Sequence, residues 1–169
     1  MATLPRGLKN NNPGNLVHSA GGKLLPPYTG EVRPPKDSRF RTFSSMPYGY
    51  RAMFVLLKTY NKRGLDTIEK IINTWAPPVE NATSTYIDTV EKNTGISRYT
   101  KLNINDQVSY KKIVAAISKV ENGIPARIQE LEAGLYLYNN PGTAPAPTPG
   151  TPPNFLPIIG LAILYFFFN

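Results

Sequence analysis

Eleven carboxylates, one His and no Cys set the limits of the chemistry available to this chain of 169 residues. Without Cys, disulfides and haem- or zinc-thiolate centres are excluded. A single His argues against a multi-His metal centre or a Ser-His triad, so no metal and no cofactor is expected. What isolated carboxylates do well is general acid–base work, in which a Glu hands its proton to a leaving oxygen. Most of the eleven have simpler assignments. Asp66 and Glu69 fit a capping box, and Asp106 fits a helix cap. Asp88 and Glu91 fall on the polar side of a helix. Glu121, Glu130 and Glu132 lie on late helices among polar neighbours, where a solvated carboxylate is the default. Glu31, Asp37 and Glu80 remain, each in a loop beside Gly, Pro or aromatic residues.

Glu31 follows Tyr28-Thr29-Gly30 and precedes the basic run Arg33 to Lys36. Aromatic and apolar surroundings disfavour a charged carboxylate and would suit an acid working near neutral pH. The neighbouring cations pull the other way, so a surface-loop role stays open. Glu80 stands just ahead of a helix, where a carboxylate also simply satisfies free amides. Trp75 is either core or a platform on which a sugar ring stacks. His18 has no visible partner in the sequence and reads as an ordinary loop residue.

The elements that must position these groups are mostly helical. Residues 6–50 are rich in Asn, Gly, Pro and aromatics and read as loops with a short hairpin, the Asn10–Asn15 stretch being a turn. An apolar helix spans Tyr50 to Tyr60 with Gly64 as its stop. A second carries Ile68, Ile71, Ile72 and Trp75 and ends at Pro77-Pro78. A third, capped by Asn81 or Thr83, puts Tyr86, Ile87 and Val90 on one face and stops at Gly95. A fourth runs from Asn105 or Asp106 to about Glu121, with Val108, Ile113, Val114, Ile117 and Val120 apolar. A fifth opens at Pro125 and reaches Tyr138. The expected class is mainly α, with about five helices and an irregular N-terminal region.

Charge divides the chain further. Residues 1–63 hold 11 basic and two acidic residues, residues 64–132 hold eight basic and nine acidic ones, and no charge occurs from Ala133 to Asn169. The basic excess therefore belongs to the first part and suits an anionic partner such as a cell-wall polymer, anionic lipid or nucleic acid. Basic residues are scattered through 6–63 without a known reading motif, which argues against nucleic acid. Residues 1–138 form the expected folded domain. Residues 139–154, six of them Pro, form an extended linker. Residues 155–168 form an uncharged apolar segment, expected to be a membrane-anchoring transmembrane helix that spans about 21 Å against a hydrocarbon core of roughly 30 Å. Met1 to Pro5 is too short and too polar for a secretory leader.

Three stretches carry a resemblance: Arg6-Gly-Leu-Lys-Asn-Asn-Asn-Pro-Gly-Asn15; Gly30-Glu31 through Asp37 and Phe43 to Tyr48-Gly-Tyr-Arg-Ala-Met53; and Trp75-Ala-Pro-Pro-Val-Glu-Asn-Ala-Thr83-Ser-Thr-Tyr86-Ile87. Together they resemble a phage-encoded, virion-associated family of peptidoglycan-cleaving enzymes with an α+β lysozyme-like fold. More distantly, the order of Glu31, the Ser44–Met53 turn and helix, and Trp75–Ile87 is similar to soluble lytic transglycosylases. In those enzymes Ser follows the Glu, whereas here Val32 does.

The resemblance implies that Glu31 is the catalytic acid, with Glu80 and Asp37 as alternatives. It also implies that Asn12, Asn15, Tyr48, Tyr50, Trp75, Asn81, Thr83 and Tyr86 bind substrate. A lytic transglycosylase needs one Glu as acid and then base, because the muramoyl 6-hydroxyl attacks; a hydrolytic muramidase of the usual type adds a second carboxylate. The expected function is cleavage of the β-1,4 bond of peptidoglycan to assist phage entry or release. The expected location is the virion, attached to an internal membrane through residues 155–168 or to capsid proteins, with the host cell envelope as the alternative. A lysozyme-fold structural virion protein without activity is the other reading.

Overall fold

Residues 3–77 and 82–144, described by a computed structural model, contain six α-helices and one two-stranded sheet. Glu80, Asn81 and the segment 155–168 lie outside these described residues, as does most of the linker. No helix among the described residues is long and apolar enough to cross a membrane.

The N-terminal region is irregular, as its composition predicts, with one helical turn, α1 (Arg6–Lys9), that the Asn/Gly/Pro content hides. The hairpin is real but small. β1 (Ser19–Ala20) pairs antiparallel with β2 (Lys23–Leu24), Ser19 opposite Leu24, around Gly21 and Gly22. Both glycines have positive φ, the backbone that a tight two-residue hairpin turn requires.

The first long helix begins before Gly49. Helix α2 (Met46–Lys62) is preceded by extended Ser45 and carries Pro47 in its first turn, where a missing N–H costs nothing. Helix α3 (Ile68–Trp75) is capped by Thr67, whose hydroxyl accepts from the Lys70 amide; Asp66 instead pairs with Lys70 at 2.8 Å. Helix α4 (Thr83–Thr94) ends on left-handed Gly95. Helix α5 (Gln107–Asn122) is capped by Asp106, which accepts from the Ser109 amide, and ends on left-handed Gly123. Helix α6 (Ile128–Asn139) starts three residues after Pro125, which stays in the preceding loop.

The core lies around α2. Ala52, Met53 and Leu57 are fully covered, and α2 packs chiefly on α6. That approach requires Gly134: a Cβ there would stand 2.4 Å from Tyr50 Cβ. The other side of the core is built by Ile68, Ile71 and Ile72 of α3, Val90 of α4, and Ile113, Val114 and Ile117 of α5. Each such side chain contributes about 1.5–3 kcal/mol relative to exposure. Val108 departs from its apolar periodicity and is 63% exposed.

Candidate active site

Asn122, the last residue of α5, joins both ends of the domain. Its Nδ2 donates to the Pro13 carbonyl at 2.8 Å, and this fixes the loop Pro13–Leu16 beside the helix end. Gly14 is needed in that loop, because a Cβ would lie 2.7 Å from the Trp75 ring. Asn15 takes φ +47°, a left-handed conformation that Asn tolerates better than most residues. Trp75 ends α3, just before Pro77, and Tyr86 lies in the opening turn of α4.

These pieces converge on Glu121 in the last turn of α5. Its Oε1 accepts from Tyr86 Oη at 2.9 Å and from Trp75 Nε1 at 3.2 Å; its Oε2 accepts from Asn15 Nδ2 at 2.9 Å. An anion in the last turn of a helix faces the negative end of the helix dipole, so α5 itself disfavours this placement and the three donors offset it. Tyr86 is 8% exposed, and burial, then the adjacent carboxylate, push its phenol well above the usual tyrosine range. It therefore stays neutral and keeps donating.

Glu121 lines a cleft of about 670 Å³ with Gly14, Asn15, Arg39, Phe40, Trp75 and Tyr86. A second cavity of about 240 Å³ shares Gly14, Asn15, Val17 and Trp75 with it and adds Tyr28, Tyr60, Arg41 and Thr74. Glu121 is the only carboxylate lining either cavity among the described residues. Aromatic faces flanking amide, hydroxyl and carboxylate groups form a surface suited to a sugar chain, whose rings present apolar C–H faces and polar rims. Among the described residues no cluster of His, Asp and Glu is placed to hold a metal ion.

The residues expected from the sequence divide between this cleft and the scaffold. Asn15, Trp75 and Tyr86 line the cleft. Glu31 does not: its side chain is fully buried between Arg41, with which it is in direct ion-paired contact, and Arg33 at 2.8 Å, and it also accepts from the Tyr28 amide. The cations beside Glu31, counted in the sequence as a weakening factor, are the dominant fact. Asp37 is held by both guanidinium arms of Arg6, by Asn10 and by the amides of Arg39 and Phe40; the bonds from Arg6 lead in holding it far below the usual carboxylate range.

Asn12 is fully buried and braces Leu16 and Arg41 by backbone bonds. Thr83 donates to the Ala76 carbonyl and ties α3 to α4. Tyr48 lies under Gly30, where a Cβ would meet its ring at 2.2 Å. Tyr50 is 2% exposed, pairs with Ser118 and lines a different cavity with Ile124 and Glu130. His18 is buried, with Nε2 3.1 Å from the Asp37 carbonyl.

Glu121 is the functional candidate that sequence reasoning passed over. One signal was available: an acidic residue two places before a helix-stopping Gly stands where the dipole disfavours it.

The chain is 39% identical over 132 residues to Protein P5 of Pseudoalteromonas phage PM2, a match covering 77% of this chain and 79% of that protein. No protein-family model matches the chain.

Proposed function

The chain belongs to the family of Protein P5 of Pseudoalteromonas phage PM2, and we propose that this phage protein cleaves the β-1,4 glycosidic bond of peptidoglycan with Glu121 as its acid and base. The observation that carries the proposal is the Glu121 carboxylate, the only one lining the aromatic-walled cleft among the described residues, oriented by three donors. In the first step Glu121 gives its proton to the leaving glycosidic oxygen as the C1–O bond breaks. In the second, Glu121 takes the proton from the muramoyl 6-hydroxyl as that oxygen bonds to C1, giving a 1,6-anhydro end. One carboxylate suffices for both steps, which favours transglycosylation over a hydrolysis of the usual two-carboxylate type. In this reading, basic residues of the N-terminal part draw the domain to anionic wall polymer, and the uncharged sequence 155–168 holds it to a membrane of the virion.

The test is the mass of products released from peptidoglycan by the full chain in detergent. Anhydro-muropeptides are expected, and Glu121→Gln should abolish them while Glu31→Gln protein that remains folded should not. Reducing ends alone would replace transglycosylation by hydrolysis.

A second reading is a structural virion protein without activity. It is favoured by the way Tyr86, Trp75 and Asn15 close on both oxygens of Glu121, as a purely structural clamp between α3, α4, α5 and the N-terminal loop would do. No muropeptide release by the unmodified chain would decide for it.

A further inference from the structure

We infer that Asn15 is the positioning residue that places the transferable proton on Oε2 of Glu121, an inference that rests on Glu121 being the acid. The two carboxylate oxygens have unlike neighbours. Oε1 accepts from the Trp75 indole at 3.2 Å and from the Tyr86 hydroxyl at 2.9 Å. An indole N–H has no lone pair to offer, so a proton on Oε1 would meet it donor against donor. Oε2 has one partner, Asn15 Nδ2 at 2.9 Å. The proton therefore belongs on Oε2.

A carboxamide is the side chain that suits an oxygen alternating between the two states, because it carries a donor and an acceptor on one planar group. With Glu121 ionised, Nδ2 donates to Oε2, as observed. The Asn15 Oδ1 atom is meanwhile buried without a hydrogen-bond partner. Turning the amide over breaks no bond at that oxygen and brings it to face a protonated Oε2, from which it accepts. The proton then leaves Oε2 for the glycosidic oxygen, the amide returns, and Oε2 next receives the proton of the 6-hydroxyl. Asn15 exchanges no proton itself. Its left-handed backbone, φ +47°, belongs to the arrangement that brings the amide to Glu121.

The experiment follows the Glu121 carboxyl carbon by NMR in the full chain, labelled at the Glu carboxyl and held in detergent micelles, with the Glu121→Gln spectrum identifying the signal. Asn15→Gly and Asn15→Asp are compared with the unmodified chain, since both residues accept a positive φ. Asn15→Gly removes the partner of both states, and the titration midpoint should move upward because the bond to the ionised oxygen is the stronger of the two. Placing a like charge there should move it further in the same direction in Asn15→Asp. The alkaline limb of the cleavage rate should move with it, because the acid then keeps its proton to higher pH. A midpoint unmoved in both variants overturns the inference, and so does a rate lowered equally at every pH. Failure of the unmodified chain to cleave peptidoglycan is a separate result and overturns the glycan-cleavage reading instead.

Discussion

The Tyr86 hydroxyl donates to Oε1 of Glu121 over 2.9 Å and fastens the opening turn of α4 to the last turn of α5. Tyr86→Phe removes this bond and leaves Trp75 and Asn15 on the carboxylate. The folded state should lose roughly 0.5–1.5 kcal/mol, or more because one partner is charged, read as a lower urea midpoint at unchanged slope. Muropeptide release should fall while binding of the glycan persists, since the carboxylate is less well oriented and the cleft walls are intact.

Glu31→Gln should act on stability. The substitution leaves the guanidinium of Arg41, 4% exposed, and that of Arg33 without their shared anion. Removing one member of a buried ion-paired group costs about 3–5 kcal/mol. Urea unfolding measures it directly. An unchanged midpoint, combined with lost cleavage, would restore Glu31 as the acid.

Asp37 gives the fold a definite acid response. Its folded-state pKa lies below the unfolded value, first because of the hydrogen bonds from Arg6. Its contribution is therefore fully present above the ordinary carboxylate range and is lost as pH falls through and below it. Asp37→Asn should lower the melting temperature at neutral pH and flatten its decline on acidification. A decline as steep as that of the unmodified chain would show that other carboxylates govern it.

Gly7 offers a test away from the cleft. A Cβ there would stand 2.4 Å from Asn122 Oδ1, 2.8 Å from the Asn12 carbonyl oxygen and 3.0 Å from Asn15 Oδ1. Gly7→Ala should cost about 1–3 kcal/mol through overpacking. It should also reduce cleavage, because Asn15 and Asn122 must both shift although position 7 does not line the cleft. Full activity in a protein of unchanged stability would show that this corner yields freely.

The helices were legible because their signals are local. Ile68, Ile71 and Ile72 mark one buried face, and Gly95 sits at the left-handed stop expected of it. Trp75, Tyr86 and Asn15 were legible as candidate contacts, and all three line the cleft. Glu121 was not, because its sequence neighbours Lys119 and Asn122 are polar and its partners stand 35, 46 and 106 positions away. Glu31 stands out in the sequence by its aromatic neighbours, whereas the fold buries it in ion pairs with Arg33 and Arg41 that the sequence order does not show. A pattern along the chain carries composition and periodicity; it does not carry which distant donor closes on a carboxylate.

The bond between Asn122 and Pro13 bridges 109 positions, and it has a consequence for timing. Contacts of such separation close large loops and form late. On the ribosome, the Pro13–Asn15 loop must wait for more than a hundred further residues, about 5–20 s at ordinary elongation rates. Until α5 has been made, Trp75 and Tyr86 have no carboxylate between them. Under the proposed function, a nascent or truncated chain ending before Glu121 would lack its acid, and cleavage would become possible only after nearly the whole folded domain has been synthesised.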